Sequence, residues 1–130
     1  MLGGIYDQEL LDQLYANART YIHGHSVGGT NPSLLRAMGA GAPVLAFDCE
    51  FNREVTAEKA FYWTNAESLA TILAEIAEGE VDEELVAFSD LGQERIAAAY
   101  QWEAVTDQYE DLIRRLSRKR SPQSQESRAV

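Results

Sequence analysis

The stretch Tyr21-Ile-His-Gly-His-Ser-Val-Gly-Gly-Thr-Asn-Pro-Ser-Leu-Leu-Arg-Ala-Met-Gly-Ala-Gly-Ala-Pro-Val-Leu-Ala-Phe47 decides how the chain is read. Thr20–His23 is rich in branched and aromatic residues and predicts a short strand. Gly24–Thr30 follows as a loop. Asn31 suits a helix N-cap, and Pro32 suits the first helical position, where a missing N–H costs nothing. Leu34, Leu35 and Met38 form the buried stripe of that helix, and Gly39 and Gly41 end it. Pro43–Phe47 is a continuous apolar run, as expected of a strand buried on both faces.

Outward from this unit the pattern repeats. Leu2–Tyr6 predicts a strand, Asp7 an N-cap, and Leu10, Leu11, Leu14 and Tyr15 recur at helical spacing. A parallel strand so close to residue 1 is normally preceded by other units, so the chain is expected to start within a domain. Phe61–Trp63 predicts a further strand. From Glu67 the pattern is helical, with Leu69, Ile72, Leu73 and Ile76 on one face. Two more helices are expected, over about Asp82–Tyr100 and about Trp102–Leu116, and then a polar, disordered tail. The order implies an α/β fold, a parallel sheet with a helical C-terminus. The expected division is a domain over residues 1–118 and a basic, polar tail over 119–130.

At 130 residues and 45% hydrophobic content the chain has material for one modest core. Its net charge of −10 is unevenly spread. Up to Ile113 the basic residues are Arg19, Arg36, Arg53, Lys59 and Arg95, set against a large excess of acids. This acidic body argues against a nucleic-acid partner, which needs clustered Lys and Arg. The run Arg114, Arg115, Arg118, Lys119, Arg120 suits a solvated helix end, where cations complement the dipole. The alternative is contact with an anionic membrane surface. One cysteine excludes an internal disulfide and fits a reducing compartment. The sequence has no signal segment and no membrane-length apolar run, and it reads as soluble and cytoplasmic.

The chemistry is expected in the loop. In an open parallel sheet, ligands bind beyond the carboxyl ends of the strands. A loop leaving that edge and feeding a helix N-terminus offers amide groups and a partial positive charge to an anion. Gly28 and Gly29 would let a phosphate approach the backbone closely. The alternative for both is a tight connection needing positive φ, with no ligand.

The string from Tyr21 to Val44 resembles the donor-binding motif of retaining glycosyltransferases of family 4, which have the GT-B fold. It is most similar to the rhamnosyltransferase-like branch, with its Gly-Gly-Thr-Asn-Pro-Ser-Leu-Leu core. Asp7–Ala16 resembles the helix before the motif, and Asn52-Arg53-Glu54-Val55 the short Glu-Val turn after it. Tyr100-Gln101-Trp102 and its helix resemble the family's C-terminal crossing helix. The resemblance spans about residues 1–118.

It implies a Rossmann-like sheet with helices on both faces, as an incomplete C-terminal half of a GT-B fold. It also implies a donor site holding a nucleotide-diphosphate sugar with no required metal or other cofactor. The family reaction passes the sugar, rhamnose in this branch, to a glycan or lipid-linked acceptor in cell-envelope polysaccharide synthesis. The partner lobe that binds acceptor is expected to be missing, so the chain alone is expected to be inactive. Peripheral attachment at the inner membrane face is the expected location if the basic run touches lipid.

By the same resemblance, Gly28, Gly29, Thr30 and Asn31 face the donor diphosphate and sugar. His25 contacts sugar or phosphate, or else is a loop histidine bonded to backbone. Glu54 bonds donor hydroxyls, or else is an acid favoured at a helix start. The chain departs from the pattern where the family's Glu-x7-Glu pair falls on Gly28 and Arg36. Arg36 is expected to pair with Glu50 or Glu54, or with a phosphate, and Arg53 is a further candidate for the diphosphate. No catalytic residue is assigned. The alternative reading is a truncated, non-catalytic nucleotide-binding or remnant module. A dinucleotide oxidoreductase ranks below both, because the glycines are adjacent and follow a later strand.

Among other residues, Cys49 lies between two acids and reads as structural. Asp48 reads as a turn former. His23 and His25 have no further Cys or His to complete a metal site. Trp63 and Trp102 read as core or helix-docking residues.

Overall fold

The computed structural model describes residues 4–119, which divide into two compact units at Ala98–Ala99. The first unit holds α1 (Gln8–Ala16), β1 (Tyr21–His23), α2 (Pro32–Gly39), β2 (Val44–Phe47), α3 (Glu50–Thr56), β3 (Phe61–Trp63), α4 (Ala66–Glu78) and nearly all of α5 (Asp82–Ala99). The second holds α6 (Trp102–Lys119).

The three strands form one parallel sheet in the order β1-β2-β3. Tyr21 stands opposite Val44 and His23 opposite Ala46, while Leu45 pairs with Phe61 and Phe47 with Trp63. Consecutive parallel strands require crossovers, and successive crossovers of one hand that advance in one direction leave their helices on one face. The packing agrees. Val44 and Ala46 bury against Leu34 and Met38 of α2 and Val55 of α3. Leu45 points to the other face, where Ile76 of α4 and Leu85 of α5 cover it. The sheet is therefore an α/β layer with helices on both faces, as expected.

The starts of α1 and α4 are capped by side chains nearby in sequence. Asp7 accepts from the amides of Glu9 and Leu10 at 3.0 and 3.1 Å. Asn65 and Ser68 form a reciprocal capping box on α4. α2 gives way to β2 through Gly41 at φ 85°, and a Cβ there would lie 3.0 Å from Gln93 of α5. Ser89 of α5 donates to the Gly41 carbonyl at 2.6 Å, tying α5 to the same turn.

Two expectations are corrected. Of the expected strand Leu2–Tyr6, residues 2 and 3 lie outside the described residues, and residues 4–6 are irregular. Tyr6 is 90% exposed, so no second apolar layer holds that segment in a sheet. The short turn expected at Asn52–Val55 is instead part of α3, the crossover helix that parallel pairing of β2 with β3 demands. α3 ends at Ala57 and Glu58, both at positive φ (50° and 63°). Glu58 is held there by its amide bond to the Arg53 carbonyl at 3.2 Å and its ion pair with Arg53 at 2.5 Å.

α6 carries apolar side chains at Tyr109, Leu112, Ile113 and Leu116, and all are exposed. Trp102 is 82% exposed, which corrects the core alternative of its reading as a core or helix-docking residue. Trp63, in contrast, packs edge-on to Phe47 and donates to the Leu45 carbonyl at 3.3 Å. In the basic run, Arg114 pairs with Glu110 at 3.0 Å and Arg115 with Asp111, both one turn apart. These pairs suit the solvated-helix reading of that run. Of the expected tail over 119–130, Lys119 ends α6 and residues 120–130 lie outside the described residues. No helix among the described residues is long and apolar enough to cross a membrane.

Candidate functional site

Parallel pairing puts the carboxyl ends of all three strands on one rim. The loop from Gly24 to Asn31 leaves β1 there, and Cys49 starts α3 beside it. Between them lies a narrow crevice, lined by His23, His25, Gly28, Gly29, Cys49 and Asn52 among others.

Asn52 builds this corner. It is only 5% exposed. Its side-chain amide donates to the His25 carbonyl at 2.9 Å and to the Phe47 carbonyl at 2.8 Å. One side chain thus joins the loop after β1 to the end of β2. Sequence reasoning passed over Asn52 as a donor site. The available signal was its place three and four residues before Val55 and Thr56, which puts it on the buried face of α3.

His23 lies beneath the loop at 4% exposure. Its Nδ1 stands 3.4 Å from the Tyr21 hydroxyl. Its Nε2 is buried and finds no hydrogen-bond partner among the described residues. Burial, and then the neighbouring His25, push the His23 pKa below its ordinary value. The exposed His25 ring stacks on His23 with centroids 6.0 Å apart, and its side chain makes no hydrogen bond among the described residues.

The expected amide cradle at the start of α2 is corrected. The Asn31 side chain accepts from the amides of Ser33 and Leu34 at 2.9 and 3.4 Å, and Pro32 has no N–H to offer. The helix start is thus plugged by its own cap. The donors that remain are in the loop itself: among the described residues, the amides of Ser26, Val27, Gly28, Gly29 and Thr30 make no hydrogen bond. Gly28 sits at φ 100°, and a Cβ on Gly28 or Gly29 would meet nothing within 4 Å.

Both candidate arginines are engaged elsewhere. Arg36 pairs with Asp12 of α1 at 2.6 Å and also bonds the Gln8 side chain and, at 3.1 Å, its carbonyl. The expected partners Glu50 and Glu54 are replaced by Asp12, because α1 packs beside α2. That hydrogen bond holds the Asp12 carboxyl below the usual carboxylate range. Arg53 grips Asp48 through two bonds of 2.6 and 2.8 Å, pairs with Glu58, and lies 4.2 Å over the Tyr62 ring. Asp48 is held below its ordinary pKa by Arg53, so it is an ion-pair partner more than a turn former.

The structure therefore brings His25, Gly28, Gly29 and Asn31 together around the crevice. Thr30 is exposed and lies outside the lining. Arg53 and Glu54 line a separate hollow with Glu50, Ala57 and Glu58. Another open hollow lies at the amino ends of β1 and β2, beside Arg19, Pro43, Asp82 and Leu85. Its arginine is bound to Asp82 at 2.5 Å and to the Ile76 carbonyl at 2.9 Å. Among the described residues, the crevice lining contains no Asp or Glu.

Among known proteins, no family model, no curated sequence and no solved structure matches the chain.

Proposed function

We propose that this chain is the donor-binding part of a retaining glycosyltransferase with the GT-B fold, similar to the rhamnosyltransferase-like branch of family 4. The observation that carries the reading is the loop Ser26–Thr30: a run of amides without partners, rich in glycine, at the carboxyl edge of a parallel sheet. Gly29 has no positive φ and no close neighbour. Close approach of a ligand is a reason for glycine at that position.

In this reading the loop amides hold the diphosphate of a nucleotide-diphosphate sugar. Amides aimed at a leaving diphosphate stabilise its developing charge without reorganising during the reaction. The rest of the contribution is positioning. Gly28 and Arg36 stand where the family has acids, so recognition of sugar and ribose falls to other groups. A second lobe brings the glycan or lipid-linked acceptor, and no metal is needed.

A second reading is a non-catalytic remnant with a residual nucleotide site or none. The capped start of α2 and the engagement of both Arg36 and Arg53 favour it. Calorimetric titration of the 130-residue chain with nucleoside diphosphate sugars separates the donor-binding reading from a remnant with no site. Heat at millimolar ligand without turnover of donor supports the donor-binding reading. Absence of heat supports the remnant.

A further inference from the structure

One group in the crevice is left unused by the fold. His23 Nε2 is buried without a partner, although buried polar atoms are ordinarily hydrogen-bonded. In the tautomer that carries the ring proton on Nε2, Nδ1 faces the Tyr21 hydroxyl as an acceptor and the orphan is a donor. Above it, the tip of the loop is unanchored. Among the described residues, Ser26–Thr30 form no backbone hydrogen bond through their amides, and the positions a Cβ would take at Gly28 and Gly29 meet nothing within 4 Å. The stem of the loop, by contrast, is fixed by Asn52 at the His25 carbonyl.

We propose that the crevice takes a phosphate oxygen, with the His23 Nε2–H donating to it from the strand end and the loop amides from the opposite side, while Ser26–Gly29 move outward to admit it. This inference rests on the diphosphate reading above and adds a buried donor that the sequence motif did not single out. The ligand is a phosphoryl group of either a nucleotide sugar or free pyrophosphate, which share this chemistry.

The test uses the full chain with inorganic pyrophosphate and, separately, a panel of nucleoside diphosphate sugars. The His23→Phe variant keeps a ring in place and removes the donor. It is expected to bind at least about tenfold more weakly, the loss of one hydrogen bond to a charged group. The His23→Gln variant keeps an amide donor and is expected to recover part of that loss. In the unsubstituted chain, the ¹⁵N resonance of His23 Nε2 is expected to shift on addition of pyrophosphate, which guards against a variant that fails to fold. Tighter binding of a nucleotide sugar than of pyrophosphate identifies the donor as the ligand. Equal binding identifies free pyrophosphate, and both require the His23→Phe loss. Wild-type affinity in a folded His23→Phe variant, or a silent Nε2 while Gly28 and Gly29 amides shift, overturns the role of His23 and leaves the diphosphate reading standing. No binding of either ligand by the unsubstituted chain overturns both.

Discussion

The side-chain amide of Asn52 reaches from α3 to the carbonyl of His25, 2.9 Å away, and fixes the base of the loop that β1 sends over the rim of the sheet. The same nitrogen satisfies the Phe47 carbonyl at the end of β2. A buried side chain that serves two carbonyls on two different segments couples the strand ends to each other. The loop tip is left free while its stem is held.

Replacing Asn52 by Ala removes both bonds and leaves two carbonyls near the crevice without their donor. Each such loss is of the order of 1 kcal/mol, more where the group stays buried. Asn52→Ala is expected to lower unfolding free energy by about 2 kcal/mol, read from urea denaturation. Backbone order at Gly24–Thr30, read from ¹⁵N relaxation, is expected to fall. Unchanged stability and relaxation would show that the loop stem is held by other contacts.

Asn31 is a cap in this structure, and its removal separates capping from ligand binding. Asn31→Ala is expected to destabilise the chain by about 1 kcal/mol, as cap losses do. It also bares the amides of Ser33 and Leu34 at the positive end of α2. Thermal unfolding with and without phosphate is the readout. The deficit is expected to shrink in phosphate, because an anion then serves the two amides. An equal deficit in both buffers would argue that no anion reaches α2.

His23 gives the fold an acid sensitivity with a defined sign. Burial first, and then His25, lower its pKa from 6.5. The unfolded chain therefore takes up the proton at higher pH than the folded chain does. Above 6.5 both forms are neutral and His23 contributes no pH dependence; below it, stability falls as pH drops through the depressed folded value. Of the titratable neighbours, Tyr21 has a pKa raised by burial and stays neutral throughout. The His25 ring and the Cys49 thiol share the crevice. Asp12 and Asp48 are held low by their arginines and titrate below this window. Urea midpoints measured between about pH 7 and pH 5 are expected to fall, and to fall less in His23→Phe. Equal slopes in the two chains would remove His23 as the cause.

Much of the fold was legible in Tyr21–Phe47 because local signals agree there. Asn31 and Pro32 mark a helix start, and Gly41 and Pro43 mark the passage to a strand buried on both faces. α3 was read as a turn because it has seven residues and no side-chain cap at Cys49. A strand at Leu2–Tyr6 was expected from apolar content alone, yet Tyr6 has nothing to pack on. In the site, the glycines and His25 were found from the motif, while the partners of its charged residues were not. Arg36 meets Asp12 across 24 positions of sequence, a contact set by the packing of α1 on α2. The orphaned His23 was hidden for a similar reason. A three-residue strand does not say which face is buried, and here Ile22 is turned out while His23 is turned in.

The central claim is that the loop amides from Ser26 to Thr30 bind a diphosphate. Its most direct test is an amide-resolved NMR titration of the 130-residue chain with a nucleoside diphosphate sugar. Saturable shifts confined to Ser26–Thr30 and the residues lining the same crevice are the predicted result. Shifts that centre instead on the hollow beside Arg19 and Asp82, or no shifts at millimolar ligand, would contradict it.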